Sequence, residues 1–347
     1  MKFECDIQEN LGKLPKTLEE RYSQIYATIC AESGSSSRVA NIALMWIMCS
    51  PRPLTPEEWT DVTCYASQPL DSRIDLGTLL DICHNLVVLD WQSNAVRFAH
   101  LSVREYLEKY HFNIEESNVM AAKCCLSMLI DCEGLFPAAS YHGCFRYSTI
   151  NWAYHVDECC SGDKCGDILN LLRSFLGHPS KASKTYSNWL SGAKAIADKD
   201  HSRGNLKQST LIMLYRIESV PLNPLFAAAY FRFGEKFQEL WESDRFEIGC
   251  KNKVGETLLS IASDRGHIRT VRALLERMAD VNNDSTSPAI DQSGPGPSKS
   301  SPIQSEKFLD RARTNPQFFG TWTALDQSIR AESGRIRWVL LIYLVNI

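Results

Sequence analysis

The sequence predicts a mainly α protein carrying one small β-hairpin, and three observations predict it. Between residues 15 and 110, capped helical segments follow one another and lead into two short runs of strand character, "VVLDW" and "AVRFA". From 117 to 215 the chain is again helical in pattern and rich in Cys and Trp, as in "INWAYHV", "LLRSFL" and "SNWL". Finally, "GETLLSIASDRGHIRTVRALLERMADVN" at 255 to 282 describes two helices joined at Gly266. Such a pair has two apolar faces and no core of its own, so it is expected to stack on neighbours.

The elements follow in order. "PKTLEERYSQIYATICAES" predicts a helix with Leu18, Tyr22, Ile25 and Ile29 near one face. After a Ser-rich turn at 34 to 37, "VANIALMWIMCSP" predicts an apolar helix that stops before Pro51. In "LTPEEW", Thr55 is the N-cap, Pro56 the first helical residue, and Glu58 closes a capping box. "DLGTLLDICHNL" adds a third helix, and the two strands around "QSN" form the hairpin. Ser102 and Glu105 are expected to form a second capping box opening "SVREYLEKY". Three helices and a hairpin in this order make a winged helix, assigned to 39–110 with a linker helix in 1–38.

In the stacked pair, Thr257 caps the first helix and Gly266 ends it. The stripe Leu259, Ala262, Ile268, Val271, Leu274 and Leu275 is expected to pack inward, and Ala279 to Asn282 to leave in a turn. Gly255, Thr257, Leu259, Ala262, Gly266, His267, Val271, Leu274, Leu275 and Ala279 to Asn282 resemble the ankyrin repeat. Leu258, Ser260, Ser263 and Met278 depart from its pattern, and Ser260 should weaken the bond that ties Thr257 to its own repeat. "NPLFAAAYFRFGEKFQEL" at 223 to 240 is expected to be a degenerate earlier copy, since Leu225 precedes Leu259 by nearly one ankyrin period. "GRIRWVLL" at 334 to 341 echoes the motif imperfectly. The array is therefore placed at 216–283, a Ser/Pro/Gly-rich insertion at 284–306 and a degenerate, truncated repeat at 307–347. The apolar end "WVLLIYLVNI" is expected to reflect truncation, an aberrant gene model or packing on a partner.

"DLGTLLDICHNLVVLDWQSNAVRFAHLSVREYL" resembles the winged-helix segment that follows the NACHT nucleotide-binding module in fungal STAND proteins. "LPKTLEERYSQIY" is similar to the linker between the two, and 111–215 would be the helical spacer that precedes the repeats. In such relatives the winged helix helps hold the nucleotide module closed while the repeats sense a ligand. Here no GxxxxGK[ST] occurs: "NLGKLPKT" lacks the glycine spacing and the hydroxyl that would ligate Mg²⁺. The resemblance therefore implies the regulatory part without the NTPase, and no cofactor is expected.

Composition narrows the function classes. A net charge of −4 and a pI near 6.1 give no general attraction to nucleic acid or anionic membrane. Between 51 and 110 only five basic residues stand against nine acidic ones, with Asp71, Asp75 and Asp81 around the would-be recognition helix, a surface that repels phosphate. No basic start precedes an apolar stretch at the N-terminus, and no run approaches the roughly 20 apolar residues of a membrane span. Thirteen cysteines, mostly in apolar helical patterns, fit small buried hydrophobes in a reducing, cytoplasmic setting.

Three groups could carry chemistry. His142, Cys144, His155, Cys159, Cys160 and Cys165 are close enough for zinc, but no CxxC occurs and the bland alternative is free thiols near a loop. His100 with Ser102 lacks a GxSxG elbow, and capping explains Ser102. Trp46, Trp59, Trp152 and Trp189 read as core anchors rather than a stacking box. The expectation is thus a non-enzymatic protein that binds other proteins through the ankyrin surface, with no metal, nucleic acid or membrane partner. The candidate contact residues are Asn252, Lys253, Val254 and Glu256 at the hairpin tip, and Ser260, Asp264 and Arg265 on the first helix. The alternatives are a winged-helix nucleic-acid-binding regulator and, third, a zinc-dependent activity.

Overall fold

The computed structural model describes residues 17–32, 34–69, 73–133, 142–159, 166–202, 213–231, 233 and 247–284. Two compact units divide the chain, residues 1–175 with 184–193 and residues 176–183 with 194–347. The N-terminal part of the linker, most of the second half of the degenerate repeat at 223–240, nearly all of the insertion and the whole of 307–347 lie outside the described residues.

The first unit is mainly helical. Its elements are α1 (Leu18–Ala31), α2 (Ser36–Cys49), α3 (Pro56–Ala66), α4 (Leu76–Ile82), β1 (Val87–Asp90), β2 (Ala95–Phe98), α5 (Leu101–Tyr110), α6 (Ile114–Asp131), α7 (His142–Glu158) and α8 (Gly166–Leu176). The long helix α9 (Lys184–Ser202) begins in it. Helices α2 to α4 and the antiparallel hairpin β1–β2 form the winged helix, with Val87 opposite Phe98 and Asp90 opposite Ala95.

The capping box expected in α3 is present. Thr55 Oγ1 accepts from Glu58 N at 3.2 Å and Glu58 Oε2 accepts from Thr55 N at 3.1 Å. Arg52 then grips the same carboxylate with two bonds of 2.8 and 2.7 Å, which fixes the entry to α3. The box expected at Ser102 is absent. His100 is the N-cap of α5, its Nδ1 accepting from Ser102 N at 3.1 Å, so Ser102 lies inside the helix. An imidazole nitrogen can accept like a carboxylate, and His100 is one helical step better placed. Ser102 Oγ instead lies 2.7 Å from both His100 Nδ1 and Tyr22 Oη, tying α5 to α1. On α1, Ile29 is buried and Tyr22 and Ile25 are half-buried, whereas Leu18 is exposed. Of the turn expected at 34 to 37, Gly34 and Ser35 form it, while Ser36 and Ser37 already belong to α2.

Trp46, Trp59, Trp152 and Trp189 are all buried. Trp59 and Trp189 donate their indole N–H groups to Ala43 O and Thr149 O, each at 3.0 Å. Trp152 meets Phe175 and Trp189 edge to face at 4.9 and 5.5 Å, the arrangement favoured by ring quadrupoles. Helices α3 and α7 approach closely at Gly143, where an added Cβ would lie 3.0 Å from both Glu57 O and Asp61 Oδ2. Seven cysteines of this unit are buried thiols, and burial pushes those of Cys49 and Cys83 up to about 12. Such thiols stay protonated and act as small apolar groups.

The second unit contains β3 (Gly177–His178) paired with β4 (Lys181–Ala182), the end of α9, α10 (Leu225–Tyr230), α11 (Leu258–Asp264) and α12 (Ile268–Asp284). Helix α11 packs on both α10 and α12. Gly266, at φ +72°, supplies the left-handed residue that closes α11 and lets the chain reverse. Helix α12 does not end before Ala279 as the turn residues suggested but continues to Asp284.

The inward face differs from the expected stripe. Leu259, Ala262, Val271 and Leu274 are buried, but Ile268 is 48% exposed and Leu275 is half-buried. Leu258 and Ile261 fill the interior instead. A short helix packed against elements on two sides buries more than one stripe, so α11 is apolar on more of its surface than a surface helix would be.

Candidate interaction surface

The segment 250–257 reverses direction between two isolated antiparallel bridges, Ser219 with Asn252 and Lys251 with Thr257. Asn252 organises it. The Asn252 side chain accepts at Oδ1 from Val254 N at 3.1 Å and Glu256 N at 2.7 Å, and donates from Nδ2 to Arg216 O at 2.8 Å and Glu256 Oε2 at 2.9 Å. It is only 6% exposed, so its expected role as a contact residue is corrected: it is the internal brace of the tip. Gly255, at φ +86°, allows the tight turn that these bonds impose.

The other candidates divide by their partners. Glu256 is half-buried and receives a two-pronged contact from Arg216, at 3.0 and 2.7 Å. Arg216 also donates to Asp264 at 2.6 Å, so two expected contact residues converge on one cation. Ser260 is half-buried and caps α11: its Oγ accepts from Thr257 N at 2.9 Å and Thr257 Oγ1 accepts from Ser260 N at 3.1 Å. Ser260 thus keeps a tie to Thr257, because a hydroxyl at the third helical position can close a capping box.

Lys253, Val254 and Arg265 face solvent. Lys253 Nζ lies 2.7 Å from Glu218 Oε1, and Lys194 holds the other oxygen of the same carboxylate. Burial tends to raise the Glu218 pKa, but the two lysines outweigh it and hold it below the usual carboxylate range. Arg265 stacks its guanidinium over Tyr230 at 4.6 Å. Val254, 62% exposed, projects from the braced turn. Sequence reasoning missed Arg216, Glu218 and Tyr230. The repeat spacing could have found the first two, since Ser219, the bridge partner of Asn252, stands 33 positions before it.

The remaining candidates have structural surroundings. His155 is fully buried, with Nδ1 donating to Asn118 Oδ1 at 2.8 Å and Nε2 2.7 Å from Tyr147 Oη. Cys159 Sγ points back to His155 O at 3.0 Å. Among the described residues no group of three or more His, Cys, Asp or Glu could hold a metal ion, and Cys160 and Cys165 lie outside them. His267 donates from Nδ1 to Ala229 O at 3.1 Å, joining the α11–α12 turn to α10. On the winged helix, α4 is only seven residues long; Asp75 caps it and Asp81 is exposed, while Asp71 lies outside the described residues. No described helix is long and apolar enough to cross a membrane.

Leu274 tests the packing under this surface. It is fully buried, and Leu274→Ala should destabilise the second unit by about 2 to 5 kcal/mol. Thermal melts of the two chains check this, and an unchanged melt would remove the case for a packed helix pair.

Residues 26–117 match the family model for the GPI inositol-deacylase winged helix domain. The match starts within α1 and ends within α6, so it takes in only the end of the helix expected as a linker. Neither the curated proteins nor the solved structures contain a match. The winged-helix domain is compatible in general terms with a regulatory or interaction module.

Proposed function

We propose that this chain is a non-catalytic, cytoplasmic module that binds other proteins through the braced tip at 252–256, and that the helix pair above it is an ankyrin-type repeat in a STAND-like arrangement. The observation that carries this reading is the rigidity of the tip. Four hydrogen bonds of the buried Asn252 and the ion pairs of Arg216 hold the backbone while Val254, Lys253 and Arg265 stay accessible. A surface ordered before binding loses less entropy on association. The resemblance of 255–282 to ankyrin repeats supports the same reading, and the winged-helix family match at 26–117 is compatible with it in general terms.

A photo-crosslinking residue at position 254 of the full chain, exposed to extract of the source cells, tests it. The expected result is one or a few discrete protein adducts that fall several-fold with Lys253→Ala, a change that should alter stability by less than about 0.5 kcal/mol. Adducts unaffected by Lys253→Ala and by Arg265→Ala would overturn the assignment of this surface. The nucleic-acid alternative is read in parallel with a labelled DNA duplex at physiological salt, where sub-micromolar binding would replace the protein-binding reading.

A further inference from the structure

The wing presents a second, independent surface, whose argument does not rest on the tip at 252–256. Strand β2 is covered on its outer side, where Val96 N–H donates to Leu54 O at 2.8 Å. In an antiparallel ladder, opposite residues turn their backbone groups in matching directions, toward each other or both away. Val96 turns its N–H away from β1, so Leu89, its partner in the register, turns its own N–H and C=O away from β2. The bond from Ala99 N to Leu86 O at 2.9 Å fixes the same alternation from the other end of the hairpin. Among the described residues no hydrogen bond reaches the outward groups of Leu89.

Of the usual guards this edge has only its shortness, four residues, and the charge of Asp90 at its end. Val87–Asp90 contains no Pro and no Lys, and its pairing runs without a bulge. Val88 and Leu89 are half-exposed, and Trp91, the next residue after the strand, is 79% exposed. The turn that bears Trp91 is held by Asp90 Oδ1, which accepts from Gln92 N at 3.0 Å and Ser93 N at 3.4 Å. An exposed tryptophan on a braced turn beside an open edge is the combination that anchors an added strand.

Charge selects the kind of strand. The five basic residues of 51–110 are all engaged within the chain: Arg52 with Glu58, Arg73 with Asp61, Arg97 with Asp90, Lys109 with Glu19, and Arg104 with Met48 O. Glu57, Asp81, Glu105 and Glu108 stay exposed on the same domain. A second copy would bring like charge to like charge, whereas a basic segment is attracted. We propose that the free edge of β1 receives an extended segment of another protein, apolar on alternate residues and basic overall, with Trp91 covering one of its apolar side chains.

Leu89→Pro is the decisive variant. Proline there removes the outward N–H and leaves the β1–β2 ladder intact, since Leu89 gives that ladder nothing. Phage-displayed random peptides are selected on the full chain, and the best sequences are remade and titrated by fluorescence anisotropy. The expected result is alternating, Lys- or Arg-containing peptides with Kd below about 100 µM, weakened at least about tenfold by Leu89→Pro and by Trp91→Ala. Peptides that bind Leu89→Pro as well as the parent would overturn strand addition, as would a selection that yields no binder in that range. A parent that dimerises in sedimentation, and loses the dimer on Leu89→Pro, would give the edge to a second copy and overturn the proposal. Should the proline variant melt far below the parent, amide exchange on the parent decides: the Leu89 amide must slow on peptide addition while that of Val88 does not change.

Discussion

Replacing Asp61 by Ala should lower the stability of the first unit by about 2 to 3 kcal/mol, the upper part of the usual cost of leaving a buried hydrogen-bond donor without its partner; Arg73, nearly half exposed, stays solvated. Asp61 is 1% exposed, pairs with Arg73, and accepts from Gly143 N at 2.8 Å at the start of α7. Burial pushes its carboxyl up from the ordinary Asp value, against the pull of Gly143 N–H and Arg73, so the ion is expensive to bury and needs every donor it has. Removing it leaves a buried backbone N–H unpaired at a place where Gly143 already brings α3 and α7 as close as their atoms allow. Asp61→Asn keeps the volume and one acceptor and should cost clearly less, about 1 kcal/mol or below. Urea titrations of the three chains check this; equal midpoints for parent and Asp61→Ala would show that α7 is not anchored here.

Acidification should destabilise the same unit through His155. Both ring nitrogens are engaged, by Asn118 and Tyr147, and burial pushes its pKa down to about 3 from an ordinary value of 6.5. The unfolded chain takes up a proton as pH falls through about 6.5, while the folded chain does so only near 3. Stability is therefore full above about 6.5 and declines below it, by roughly 1.4 kcal/mol per pH unit and at most about 4 to 5 kcal/mol over the window. Burial also lowers the pKa of His111, which adds a smaller loss of the same sign. His155→Gln should cost stability at pH 7 yet flatten the fall between pH 6.5 and 4.5. A variant that loses as much over that range as the parent would show that His155 is not the group responsible.

The sequence by itself determined the elements whose signals are local. The capping box at Thr55 and Glu58, the cap at Thr257 and the reversal at Gly266 need only residues a few positions apart, so their geometry follows from the chain. The hairpin was legible from two short runs of strand character around the "QSN" turn, and the burial of the four tryptophans was expected from their reading as core anchors. Tertiary structure decided everything that required a partner far along the chain. Asn252 looks like a surface turn residue until Arg216, 36 residues away, supplies the carbonyl that draws its side chain inward. Ile268 fits the apolar stripe, yet the helix beside it leaves that position facing solvent, and Leu258 is taken instead. His155 and Cys159 share a helix face, as their spacing requires, but Tyr147 and Asn118 claim the imidazole before a metal could. Periodicity fixes which residues share a face; only the neighbours brought by the fold fix which faces are covered, because burial and hydrogen-bond satisfaction are properties of contacts between distant segments.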